Sequence, residues 1–112
     1  PNLKLFVDTV HAYYDNLTPE QIAQVPAEDY GFIHLCDCPV ETDGVELTQI
    51  IRAGREYCGY GKADIVGMLK ALPERICSIE LPNLAYIERY GAQEHARRCL
   101  ETAKALCDDN GL

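Results

Sequence analysis

Three short apolar runs in this 112-residue chain each end in a side chain able to hold a cation or move a proton. They are Leu5-Phe6-Val7-Asp8, Gly31-Phe32-Ile33-His34 and Ile76-Cys77-Ser78-Ile79-Glu80. A carboxylate or imidazole on a buried strand is costly unless it is paired or coordinated. At the C-terminal ends of parallel strands such groups face the mouth of an α/β sheet, where ligands bind. An Asp, a His and a Glu at matching ends of three successive strands therefore point to a metal site. Each also has a plainer reading. Asp8 can cap the turn after its strand, His34 can be a satisfied core histidine, and Glu80 can form an ion pair at a strand end.

The elements that must position these residues alternate along the chain. A strand over residues 3–8 leads into a loop containing His11, Tyr13 and Tyr14. Thr18-Pro19-Glu20-Gln21 then starts a short helix, with Thr18 as N-cap, Pro19 in the first turn and Gln21 completing a capping box. That helix ends near Pro26, and the second strand covers residues 31–35. A long glycine-containing segment from Asp37 to Gly61 follows, in which Leu47, Ile50 and Ile51 suggest a helical turn. Asp64 is placed to cap a helix over 65–72, whose Ile65, Met68, Leu69 and Leu72 share one face; Pro73 stops it. The third strand spans residues 76–81. The last helix runs over 92–106 with a stripe of Ala96, Cys99, Leu100, Ala103, Leu106 and Cys107, and Gly111 lies just beyond. This βαβαβα order implies a parallel sheet in an α/β domain.

Composition narrows the function. With 47% hydrophobic residues the chain is a folding sequence rather than a disordered one. The net charge of −8 argues against a nucleic-acid partner, which calls for a basic patch. The apolar stretches are too short to span a bilayer, and no basic region precedes an apolar run as in a secretory signal. Six cysteines without paired C-x-x-C knuckles read as free thiols in a reducing, cytoplasmic setting rather than a structural zinc site. Cys36-Asp37-Cys38 has two readings, a soft metal clip or simple loop thiols, and the second is favoured. The Gly59–Gly61 turn is too short for a phosphate cradle. His95, beside Glu94 and Arg97, reads as solvated.

The same residues resemble the sugar phosphate isomerase/epimerase family of xylose isomerase-like TIM barrels. Leu5-Phe6-Val7-Asp8-Thr9-Val10-His11 is similar to its L-x-x-D-x-x-H strand end. Ile33-His34-Leu35-Cys36-Asp37 resembles its H-L-x-D strand, and Arg55 to Gly61 resembles its R-x-x-x-G-x-G loop. Ile79-Glu80-Leu81 resembles its last-strand I-E-L, and Ala96 to Glu101 resembles its final helix. The ordered set spans nearly all of residues 1–112 and would correspond to the last three βα units of a (β/α)₈ barrel. An open three-stranded parallel sheet has two bare edges. The expectation is thus a partial barrel that belongs to a larger one or covers its edges with another copy, as a homo-oligomer.

The resemblance implies a metal-dependent isomerase, epimerase or dehydratase acting on a small sugar, sugar phosphate or polyol through an enediolate. Asp8, His34 and Glu80 would be the metal ligands, and the donor mixture suits Mn²⁺, Mg²⁺, Co²⁺ or Zn²⁺. Glu80 would also be one of two glutamates exchanging the substrate proton. His11 and Arg55 would hold substrate oxygens, with Arg52 as a rival to Arg55. The family's fourth ligand, a Glu on the preceding strand, has no counterpart in these residues. The other reading, from a different class, is therefore a catalytically incompetent half-barrel or small-molecule binding module. Endonuclease IV-type repair enzymes share the barrel, but they carry Asp-Arg-His where this chain has Gly54-Arg55-Glu56. Two ligands of their extra zinc are then missing.

Overall fold

A computed structural model describes residues 2–74 and 76–112. Three parallel strands, β1 (Leu5–Asp8), β2 (Tyr30–Leu35) and β3 (Cys77–Ile79), form one sheet in the order β1-β2-β3. The helices are α1 (Thr9–Tyr14), α2 (Pro19–Ala23), α3 (Leu47–Ala53), α4 (Ile65–Ala71), α5 (Leu84–Tyr90) and α6 (Ala92–Asp109), with a 3₁₀ turn at Ala27–Asp29 before β2. The mixed α/β class and all three expected strands are present. Register places Asp8 opposite His34, and His34 opposite Ser78, so the three strand ends lie side by side.

Period-two alternation sorts the sheet's two faces. Val7, Ile33 and Leu35 pack with Ile22, Ile65, Met68 and Leu72 in the main core. The other face carries Phe6 and Phe32, stacked at 5.0 Å between ring centroids, with the His34 ring 5.0 Å and 5.1 Å from them. Phe6 is 52% exposed and Phe32 41%. A second core cluster, under the strand ends, joins Val10, Cys36, Cys38, Tyr57, Leu81 and Cys99.

Several local signals act as the sequence predicts. Thr18 and Gln21 form the reciprocal capping box, with Pro19 in the first turn. Asp64 accepts from the Gly67 N–H and caps α4. Other expectations need correction. The segment after β1 is not a loop but helix α1, because the Asp8 side chain itself supplies the N-cap. An additional helix, α5, precedes α6; Asn83 caps it by accepting from the Tyr86 N–H. Of the expected α6 stripe, Cys99 and Ala103 are buried and Leu106 and Cys107 partly buried, but Ala96 and Leu100 are exposed and His95 is buried instead. His95 is therefore buried rather than solvated. Its Nε2 lies 2.9 Å from the Leu81 carbonyl and its Nδ1 2.9 Å from the Tyr57 hydroxyl. A carbonyl only accepts, so Nε2 carries the proton and the Tyr57 hydroxyl donates to Nδ1. Cys77 is exposed, since β3 is an edge strand of the described sheet.

The long segment between β2 and α4 is organised by a buried carboxylate. Asp37 is 1% exposed. Its Oδ1 accepts from the Cys38 and Ala63 N–H groups at 2.8 and 2.9 Å, and its Oδ2 from Gly59 and Gly61 at 3.0 and 3.1 Å. A Cβ at Gly61 would lie 2.0 Å from the Cys38 carbonyl oxygen, so only glycine lets the backbone approach this closely. Cys36 and Cys38 are buried beside it. Burial pushes both thiols up, Cys38 to about 12, which keeps them protonated and fits loop thiols better than a metal clip.

Asp37→Ala strands four backbone donors that now share one carboxylate. The expected loss is about 3 kcal/mol or more, since each buried unsatisfied donor costs about 1–3 kcal/mol. Urea unfolding should show the midpoint falling steeply, and a shift under about 0.5 kcal/mol, typical of a surface change, would contradict the cradle.

Candidate metal centre

Asp8, His34 and Glu80 converge at the C-terminal edge of the sheet. One ligand atom from each lies within 4.8 Å of the other two. The His34 Nδ1 is 2.5 Å from Glu80 Oε2 and 3.6 Å from Asp8 Oδ2. Burial is graded across the cluster: the Asp8 side chain is nearly buried, His34 is partly covered, and Glu80 is about half exposed.

Each position follows from local structure. Asp8 closes β1 and opens α1, with Oδ1 accepting from the Val10 and His11 N–H groups at 3.1 and 3.4 Å. Its capping reading is thus correct, and it coexists with membership of the cluster. Thr9, fully buried, fixes the next turn: its hydroxyl donates to the Cys36 carbonyl at 2.6 Å and accepts from the Cys36 N–H at 3.1 Å. That reciprocal pair locks the end of β1 to the end of β2. Glu80 follows β3 directly, and its N–H donates to the Leu35 carbonyl at 3.1 Å. The next residue, Leu81, is held from behind by His95.

Arg55 ties these ends together. Only 4% exposed, it reaches the cluster from the segment after α3. Its Nη1 donates to Asp8 Oδ2 at 2.9 Å and also lies 3.4 Å from Cys36 Sγ and 3.3 Å from the Glu80 carbonyl. Its Nε donates to the Ile51 carbonyl at 2.8 Å, and its own carbonyl accepts from Asn83 Nδ2 at 2.9 Å. Burial pulls the Arg55 pKa down, but hydrogen bonds to Asp8 and Cys36 outweigh it, and the net shift is upward. The guanidinium is therefore a permanent cation under the cluster.

Of the two residues expected to hold substrate, Arg55 is buried and paired, whereas His11 is exposed. Arg55 is committed to Asp8, and its rival Arg52 is exposed on α3. His11 is exposed on α1, and it is its backbone N–H that reaches Asp8. Residues not anticipated are Thr9, Asn83 and the Tyr57–His95 pair. Asn83 had a readable signal, a capping residue directly before the apolar start of α5. The others act through contacts distant in sequence.

The donor set fits a divalent cation. Ligands bound at about 2.0–2.2 Å around one metal stand roughly 3–4.5 Å apart. The 4.8 Å spread lies just beyond that range, so the widest pair must draw in slightly around an ion. The His34–Glu80 contact is shorter, so these two must separate slightly to admit an ion between them. Asp8 retains acceptor capacity, since each carboxylate oxygen offers two lone pairs.

Arg55→Met should destabilise the fold by about 3 kcal/mol, because it leaves Asp8 buried without its cation. Combining it with Asp8→Asn should recover part of that loss in chemical denaturation. A double variant as unstable as the sum of the two single ones would contradict a direct coupling.

Comparison with protein-family models finds no match, and comparison with curated proteins finds none. Among solved structures, the chain is similar to one described as the 1.8 Å crystal structure of the IOLI protein with a binding zinc atom. The identity is 19% and the TM-score 0.74, and the match covers 97% of this chain but 38% of that one. The likeness is therefore one of fold, extending over almost every residue here and over well under half of the matched structure.

Proposed function

We propose that this chain forms the metal-binding end of a xylose isomerase-like barrel, within a metal-dependent isomerase, epimerase or dehydratase acting on a small sugar, sugar phosphate or polyol. The observation that carries the reading is the convergence of Asp8, His34 and Glu80 at the ends of three adjacent parallel strands. The zinc atom bound in the similar structure supports a metal on this fold. It does not choose among Zn²⁺, Mn²⁺, Mg²⁺ and Co²⁺.

A cation bound by the triad would supply Lewis-acid polarisation of a substrate carbonyl and its neighbouring hydroxyl. Glu80 is the member suited to proton transfer. It is the most exposed of the three, and its carboxylate hydrogen-bonds to an imidazole rather than to a fixed cation. In this role it takes the proton from the carbon beside the carbonyl, while a second carboxylate on the opposite face returns one. That second group is not among the residues that converge here. Asp8 is held too firmly by Arg55 and two N–H groups to move with a substrate, so its role is to fix the site's charge and geometry. We assign His34 to metal affinity, and keep His11 as a proposed contact to substrate oxygens from the start of α1.

The barrel reading also concerns assembly. Both outer strands of the described sheet have open edges, and Phe6 and Phe32 lie exposed on one face. No described helix is long and apolar enough to cross a membrane. The 112-residue chain alone is expected to self-associate. Sedimentation at high concentration should show dimers or larger species, and a stable monomer that unfolds cooperatively would contradict the reading.

Two substitutions separate the roles of the triad. His34→Gln should weaken metal binding by about tenfold or more, read by calorimetric titration, and excess metal should restore part of any activity. Glu80→Gln keeps the volume and an oxygen donor but cannot accept a proton. In the whole protein, kcat should fall on the order of 10²-fold or more even at saturating metal. If added metal rescued Glu80→Gln as readily as His34→Gln, Glu80 would be a ligand only, and the binding-module reading would replace the enzymatic one.

A further inference from the structure

Away from the triad, α5, α6 and the 56–60 loop enclose an open cleft of ≈ 390 Å³. Its size falls within the range of small-molecule sites. Its lining differs from the rest of this acidic protein, for it carries two arginines and four tyrosines. The guanidiniums of Arg98 and Arg89 lie 3.9 Å and 5.1 Å from the ring centroid of Tyr90. Arg98 is anchored through Nε to Glu94 Oε1 at 2.9 Å, which leaves its two terminal nitrogens without an acceptor among the described residues. Arg89 has no hydrogen bond or ion pair to any described residue. Both guanidiniums thus lie against one tyrosine ring in the cleft lining and keep donors that an oxyanion could use.

The other end of the cleft has the opposite character. Glu56 accepts from the Tyr57 N–H at 2.7 Å and from the Tyr86 hydroxyl at 2.8 and 2.9 Å on its two oxygens. Beyond these bonds Oε2 keeps a free lone pair, so a ligand donor can approach it. The hydroxyls of Tyr57 and Tyr86 stay protonated, because burial pushes both upward, Tyr57 to about 12. The two rings stack at 4.6 Å and stiffen the wall. Tyr60 meets Tyr57 edge-on at 6.4 Å and is 65% exposed, so its ring offers a free face. Two arginines with free donors, a flat aromatic shelf and a carboxylate acceptor thus line one cleft.

We propose that this cleft binds a flat heteroaromatic oxyanion of the mononucleotide type. The phosphate lies against Arg89 and Arg98, the base stacks on Tyr60, and an amino group of the base donates to Glu56. Stacking on an aromatic side chain and a guanidinium–phosphate fork are independent, additive sources of affinity. The site shares no lining residue with the Asp8–His34–Glu80 cluster, so it stands whether or not that cluster is catalytic.

The test is calorimetric titration of the chain with AMP, adenosine and inorganic phosphate, in the presence of EDTA so that no metal at the triad can recruit phosphate. AMP should bind saturably at one equivalent. Adenosine and inorganic phosphate should each bind at least about tenfold more weakly, since each lacks one half of the recognition. Arg89→Gln and Tyr60→Ala, both at exposed positions, should each weaken AMP about tenfold while leaving the far-ultraviolet circular dichroism unchanged. Absence of saturable AMP binding at millimolar concentration overturns the proposal. So does an AMP affinity matched by adenosine or by phosphate, or one that survives either substitution.

Discussion

The buried guanidinium of Arg55 is the contact on which the strand ends depend. One nitrogen touches the side chain of the last residue of β1, the thiol just after β2 and the carbonyl just after β3. A fourth bond reaches the end of α3. A buried cation is tolerable only when it is paired and hydrogen-bonded. Asp8 supplies the pair, and the carbonyls complete the shell. Arg55 thereby sets both the spacing of the strand ends and the charge of the cluster above it. Asp8 and Glu80 bring two negative charges and Arg55 returns one positive, so a divalent cation meets a net charge of about −1 from the three charged groups.

This arrangement explains how three polar side chains can sit together before any ion arrives. Asp8 is neutralised from below, while Glu80 and His34 hydrogen-bond to each other. A metal would displace the His34–Glu80 contact and leave the Asp8–Arg55 pair intact. The rigid part of the cluster is thus the buried part, and the exchangeable part faces solvent. Behind Glu80, His95, itself oriented by the Tyr57 hydroxyl, holds the Leu81 carbonyl, which limits how far the strand end can drift. The Asp37 cradle performs a comparable task for the segment that delivers Arg55, Glu56 and Tyr57, since Asp37 pairs through its backbone with Glu56 while its carboxylate gathers the turn that follows.

Much of the fold is legible in the sequence because its signals are local. The three strands are short apolar runs bounded by turn residues, and Thr18, Gln21 and Asp64 announce their helices within a turn. The triad is legible for the same reason: each member ends its run at the same place. What is not legible depends on partners far along the chain. The family resemblance gives Arg55 to substrate oxygens, and its pairing with Asp8, 47 residues away, is visible only in the fold. His95 reads as solvated beside Glu94 and Arg97, yet its burial is set by Tyr57 and Leu81, 38 and 14 residues earlier. The inward turn of His95 in place of Ala96 on α6 has the same origin, because two polar partners in the core draw an imidazole inward where apolar periodicity favours Ala96. Helix α1 is hidden from a sequence reading because Asp8 serves its strand, its cap and its ion pair at once.

The most direct test of the account is anomalous diffraction from crystals of the chain grown with Zn²⁺, recorded at the zinc absorption edge. The account predicts one strong peak at the C-terminal edge of the sheet, within about 2.0–2.2 Å of an Asp8 oxygen, a His34 nitrogen and a Glu80 oxygen. In the same crystals Arg55 should still be paired to Asp8, and the His34–Glu80 hydrogen bond should be gone. Zinc bound elsewhere, with His34 and Glu80 still in contact, would contradict the assignment of this cluster as a metal centre.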